Sequence, residues 1–228
     1  MTKLREDAMG DLAQLERAIA ASPYDAIIVV SPENVRYVGD VHIDTQRRIR
    51  DRLAFIVWPK NGQPVFLVCE MEASYVRANS WISDIRTYQE FVMDPMVALA
   101  DILRELKIDA GSVALETAYL ASKYHDELRR QCPQLKTSAA EPLLARVRMF
   151  KTPREKAQIL HAFHATEKAF LSAFSKIRVG EEERAVAIRL AEAMLTEGAD
   201  LVTSNHCNAG TNTSFPHMAP SDFTISPG

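Results

Sequence analysis

Two β-rich runs, "LAFIVW" at 53–58 and "VFLVC" at 65–69, stand on either side of "PKNGQ", and this pairing restricts the fold more than any other stretch. Asn61-Gly62 is a hairpin signal, because a tight turn between antiparallel strands needs positive φ values that Asn and Gly tolerate. An earlier apolar run, Ala26–Val30, reads as a buried strand. Beyond the hairpin the pattern alternates, with helix expected over 71–80, strand over 84–88, helix over 95–107, strand over 112–116 and helix over 120–131. Strands separated by helices connect by crossovers and pair in parallel, so the fold class is α/β (α+β), a mixed sheet flanked by helices. At the front, Leu4, Met9, Leu12, Leu15 and Ile19 recur at three- and four-residue steps and predict an amphipathic helix over 4–20. "SPENVRYVGD" (31–40) reads as a turn or a single helical turn.

The pattern changes near residue 148. In "KTPREKAQILHAFHATEKAFLSAFSKI" Thr152 is placed to cap a helix, Pro153 to open it and Glu155 to complete a capping box. That helix is expected to run to about residue 177. "RVG" interrupts it, "EEERAVAIRLAEAMLTEG" forms a second helix closed by Gly198, and "ADLVTS" reads as a strand. The boundary is placed at 146–150, giving domains of 1–148 and 149–228.

A net charge of −3 leaves no basic footprint for nucleic acid and none for an anionic membrane surface. The one basic cluster, Gln46–Arg52, reads as a solvated face. Cys69, Cys132 and Cys207 are odd in number and far apart, which gives neither a disulfide framework nor zinc-ligand spacing. A reducing, cytoplasmic setting is the simplest expectation. "MTKLREDAMGDL" lacks the apolar run of a signal peptide, and no stretch is long and apolar enough to span a bilayer.

Four constellations can carry chemistry. His161, His164 and Glu167 share a helix face at three-residue steps, but no third committed metal ligand is near. His206 and Cys207 are adjacent, which in extended chain points them apart. Ser214 and Ser221 flank His217 without an orienting acid or a nucleophile-elbow pattern. His217 is the strongest candidate. It follows "GTNTSFP", too polar and small for a core strand, and Pro216 stiffens the approach to it. A stiff loop presenting one imidazole suits a hydrogen-bond donor or a general acid/base.

Three segments resemble the creatinase/prolidase/aminopeptidase P group, the pita-bread metallopeptidases with a creatinase-type N-terminal domain. "SPENVRYVGD" resembles a segment of that N-terminal domain. "RVRMFKTPREKAQI" (146–159) resembles the entry into the catalytic domain. "GADLVTSNHCNAGTNTSFPHMAPSDFTISPG" resembles the first β-ribbon of the catalytic domain, leading to "P-H".

The resemblance implies an N-terminal mixed-sheet domain followed by an incomplete pita-bread domain. His217 matches the histidine that hydrogen-bonds substrate or tetrahedral intermediate beside the metals; in metal-free creatinase the matching histidine shuttles the proton. Asn34 and Tyr37 match packing positions. "HIDTQRRIRDR" (42–52) matches a loop presented toward the active site of a dimer partner, where Arg47, Arg48 or Arg50 can clamp a substrate carboxylate. Glu181 departs from the usual Thr or Ser after the glycine.

The family's ligands for a divalent metal pair (Mn, Co or Zn) are two aspartates, a histidine and two glutamates, all beyond the "P-H" turn. No metal ligand is assigned in this chain. The implied reading is the N-terminal portion of an Xaa-Pro peptidase acting on a peptide substrate as a homodimer, inactive alone. Two other readings stand beside it. One is a creatinase-like metal-free amidinohydrolase, or a relative cleaving C–N or C–S bonds in small molecules. The other is a non-catalytic peptide-binding or dimerisation module.

Overall fold

The computed structural model describes residues 4–227 and divides into two compact units, the first ending at Thr152 and the second beginning at Pro153. The first unit runs α1 (Leu12–Ala21), β1 (Ala26–Val29), α2 (Pro32–Gly39), α3 (Asp44–Arg48), β2 (Phe55–Pro59), β3 (Val65–Cys69), α4 (Ala73–Asn79), β4 (Asp84–Tyr88), α5 (Pro95–Glu105), β5 (Ser112–Leu115), α6 (Ser122–Gln131), β6 (Lys136–Ala139) and α7 (Glu141–Met149). The six strands form one mixed sheet in the order β4-β3-β2-β1-β5-β6. β2 pairs antiparallel with both β1 and β3, whereas β1–β5, β3–β4 and β5–β6 are parallel.

Alternate residues of each strand enter two different cores, as the two-residue period of a strand requires. Ile27, Val29, Ile56, Trp58, Phe66 and Val68 pack with residues of α1, α2, α4 and α7. Ala26, Ile28, Phe55, Val57, Val65 and Leu67 pack on the other face with residues of α5 and α6. Helices on both faces explain why the strands read as unbroken apolar runs rather than as alternating ones.

Several local expectations need correction. The 4–20 helix is broken: Arg5–Asp7 form a single 3-10 turn and α1 starts at Leu12 behind its cap Asp11. The break lies at Gly10, where an added Cβ would sit 2.6 Å from the Tyr37 carbonyl oxygen, so the chain passes too close to α2 for any side chain. "SPENVRYVGD" is a complete helix, α2, capped by Ser31, opened by Pro32 and closed by Asp40 in the left-handed region at φ 54°. Residues 44–48, overlapping the start of the basic cluster, form α3, whose Gln46 is buried and donates to the Val30 carbonyl. Between β2 and β3 only Gly62 has positive φ, so the connection over 60–64 is a wider loop than a two-residue turn. β6 carries no large apolar residue, and it forms because β5 offers a free parallel edge.

The second unit holds α8 (Pro153–Phe174) and α9 (Glu183–Thr196). Their seam is built from small residues, with Ala165, Ala169 and Ala173 of α8 and Val186 and Ala187 of α9 buried. α8 stops at Phe174 rather than 177. α9 is followed by Gly198 at φ 98°, a conformation that glycine adopts without steric cost. "ADLVTS" is not a strand, and the expected ribbon reduces to one isolated antiparallel bridge, Glu182–Thr224. An extended segment without a hydrogen-bonding neighbour has no ladder, and none runs beside residues 199–204 among the described residues.

Candidate functional site

His217 sits in the second unit, in the turn Phe215–Met218, where the Met218 N–H donates to the Phe215 carbonyl at 3.2 Å. Its side chain is exposed. Pro216 precedes it and fixes the direction of approach. The His217 ring lies 6.0 Å from the ring of His206, edge on at 67°. His206 is itself held at the Met218 carbonyl by Nδ1 at 3.3 Å. Before this turn the chain forms a 3-10 segment, Gly210–Ser214.

Glu183 organises the loop. It is the first residue of α9 and is fully buried. Its Oε1 accepts from the Ala209 N–H at 2.6 Å, and its Oε2 accepts from the Ser221 hydroxyl at 2.7 Å and the Ser221 N–H at 3.1 Å. The Asn212 amide donates to both oxygens, at 3.2 and 3.3 Å. Burial alone would push this carboxyl up, but the Ala209 and Ser221 N–H groups, the Ser221 hydroxyl and the Asn212 amide together hold it below its ordinary value. Next to it, Glu181 accepts a two-armed contact from Arg189, at 2.8 and 3.2 Å.

The other constellations do not assemble. Ser214 Oγ donates to the Thr211 carbonyl and Ser221 Oγ to Glu183, so neither hydroxyl is directed to His217. Burial pushes the Cys207 thiol up, with the Glu183 charge acting in the same direction, which disfavours a thiolate beside His206. His164 and Glu167 approach to 3.6 Å on an exposed face. Among the described residues no group of three or more His, Cys, Asp or Glu is placed to hold a metal ion.

Arg47, Arg48 and Arg50 belong to the first unit and are exposed, the first two on α3 and the third just after it. Arg48 contacts Asp44 at 2.8 Å, and Arg47 lies 3.9 Å from Glu33. Sequence reasoning passed over Arg52, two residues further on. Its guanidinium is nearly buried and holds Glu90 with two bonds of 2.8 and 2.6 Å, and it lies 3.5 Å from Glu72. It also passed over Glu183, hidden in a run of three glutamates whose count marks a helix start but not which acid turns inward. A cavity of about 360 Å³ opens between α8, α9 and this loop, lined by apolar side chains such as Phe170, Phe174, Val186 and Leu190. The amide nitrogen of Asn208, another lining residue, is buried without a partner.

A profile described as "Creatinase/Prolidase N-terminal domain" matches residues 12–150. Two curated proteins named Xaa-Pro dipeptidase align over 95% of this chain, that of Lactobacillus helveticus at 24% identity and that of Lactobacillus delbrueckii subsp. lactis at 26%. The chain spans 58% of the length of each. Among solved structures, an X-Pro aminopeptidase from Thermotoga maritima is similar with a TM-score of 0.77 at 20% identity, over 95% of this chain and 58% of that one. Prolidase from Pyrococcus furiosus is similar with a TM-score of 0.73 at 19% identity, over 94% of this chain and 62% of that one. At such identities these two likenesses speak to the fold alone.

Proposed function

Because this chain belongs to the Creatinase/Prolidase N-terminal domain family, we propose that it is the N-terminal portion of an Xaa-Pro peptidase-like hydrolase. Alignment with two Xaa-Pro dipeptidases across both units supports the reading. The observation that carries it is the placement of His217, an exposed imidazole on a loop tied down by polar bonds rather than a histidine packed into a core.

On this reading His217 donates a hydrogen bond to the oxygen of the scissile carbonyl as negative charge develops there. A donor fixed in advance stabilises that charge without reorganising at the moment of reaction. A carboxylate-bearing substrate needs a bidentate cation, and Arg50 serves best of the three arginines, since Arg47 and Arg48 already face Glu33 and Asp44. A second copy of the chain presents this loop in the dimer. In a protein of the relatives' full length, a divalent metal pair would supply the activated water. On this reading its carboxylate ligands would lie in the part of the relatives' length that this chain does not span, and the expectation for the 228-residue chain by itself is no peptide hydrolysis.

The test is incubation of the purified chain with Xaa-Pro dipeptides and manganese or cobalt. The expected result is no release of proline above the rate with metal alone. Turnover that follows the chain's concentration and survives re-purification overturns the assignment as a portion.

A further inference from the structure

We infer that Glu183 is the positioning residue of His217, a clasp that closes the loop carrying the imidazole. The inference deepens the proposed role of His217 and rests on it only for its functional meaning. The two carboxyl oxygens of Glu183 divide their acceptor capacity between the two arms of the loop. Oε1 takes the Ala209 N–H, on the arm leading to His217, and Oε2 takes the Ser221 N–H and hydroxyl, on the arm leaving it. The Asn212 amide, on the first arm, bridges to both oxygens and lies 3.3 Å from the Ser221 hydroxyl. One side chain thus holds the ends of 209–221 together, the arrangement of an Ω-loop.

Nothing apolar does this work at the tip. Phe215, Pro216 and His217 are exposed, so burial does not fix the turn. The two arms are not equally dependent on the carboxylate. The leaving arm is also tied to α9 by main-chain bonds, from the Glu183 N–H to the Phe223 carbonyl at 3.1 Å and from the Arg184 N–H to the Ser221 carbonyl at 3.0 Å. The Ala209 N–H is held by the side chain of Glu183. Removing the carboxylate therefore frees the Ala209 N–H and leaves the main-chain bonds of the leaving arm in place. Glutamine at 183 keeps the volume but has one acceptor oxygen; that oxygen goes to the two Ser221 donors on the fixed arm, so its NH₂ faces the Ala209 N–H and repels the entering arm.

The experiment compares the 228-residue chain with Glu183→Gln and Ser221→Ala by NMR. It reads amide exchange at Ala209 and Arg184, the ring shifts of His206 and His217, and the contact between those two rings. In Glu183→Gln, protection at Ala209 is expected to fall at least tenfold while Arg184 keeps its protection. The His217 ring shift should move toward that of an unstructured peptide, and the ring–ring contact should disappear. Ser221→Ala removes one donor and should shift the same signals in the same direction by less; it carries the test if Glu183→Gln does not fold. Unchanged Ala209 exchange and an unmoved His217 ring overturn the inference. So does equal loss at Ala209 and Arg184, which marks a general loss of structure. None of these signals requires catalysis, so an inactive protein with a clasped His217 sinks the proposed function alone.

Discussion

Replacing Glu116 tests whether the first unit is held by its polar centre as well as by its two apolar cores. Glu116 follows β5 and is 2% exposed. Its oxygens accept from the Val30 N–H at 2.6 Å, the Ser31 N–H at 2.9 Å, the Ser31 hydroxyl at 2.7 Å and the Asn34 amide at 2.5 Å. The network continues through the Asn34 side-chain oxygen, which accepts from Arg148 of α7 at 2.6 Å, and Arg148 lies over the Tyr37 ring. One side chain thus ties the ends of two parallel strands to α2 and, through Asn34, to α7. Glu116→Ala strands four buried donors, each worth about 1–3 kcal/mol if left unmade. Water reaches some of them and the Ser31 hydroxyl can turn, so the total should match the loss of a partner in a buried polar network, about 3–5 kcal/mol. Glu116→Gln keeps one acceptor and should cost about 1–3 kcal/mol.

The assay is urea unfolding followed by tryptophan fluorescence. The chain has two tryptophans, Trp58 and Trp81, both in the first unit, so the signal reports that unit alone. With a slope of about 2 kcal/mol per molar urea, Glu116→Ala should lower the midpoint by about 1.5–2.5 M. A loss below about 1 kcal/mol would show that water satisfies these donors as well as the carboxyl group does, and would refute the reasoning.

Three further outcomes follow from other contacts. Arg52→Met leaves Glu90 and Glu72 without their shared guanidinium; it should cost about 3 kcal/mol in the same urea assay and speed amide exchange over 89–93. The Glu183 carboxyl lies below its ordinary value in the folded protein, so its contribution is present above the unfolded pKa and is lost as pH falls through the folded one. Amide protection at Ala209, whose N–H is held by Glu183, should therefore persist from pH 7 to 5 and fall only at pH values beneath the ordinary carboxyl range. Phe170 and Phe174 stack at 5.4 Å on α8 while 49% and 62% exposed. Since exposed apolar clusters bind dyes and promote association, Phe170→Ser with Phe174→Ser should reduce ANS fluorescence several-fold and leave the tryptophan midpoint unchanged.

The sheet was legible because its strands announce themselves. "AIIV", "FIVW" and "VFLVC" are apolar throughout, and a strand covered on both faces has no polar side to blur the signal. β6 was not legible, since "KTSA" carries no apolar content and is a strand only because β5 has an edge to fill. The α2 segment reads as a turn or a single helical turn because eight residues leave little room for periodicity; its cap Ser31 and opening Pro32 are the usable signals. Gly10 hid the end of α1, because the reason for a glycine there is a close approach to Tyr37, remote in sequence. In the loop, the polar setting of His217 and Pro216 are readable in the sequence, and the structure places that histidine exposed on a turn. The buried Glu183 that bridges the loop is not readable, since three consecutive glutamates look alike until the fold buries one of them.

The proposal on which the account rests is that His217 belongs to a hydrolytic cleft whose metal ligands are not supplied by these 228 residues. Calorimetric titration of the purified 228-residue chain with manganese at neutral pH tests it most directly. The account predicts only weak, non-saturating heats and no defined stoichiometry, whereas saturable binding of two ions per chain would contradict it.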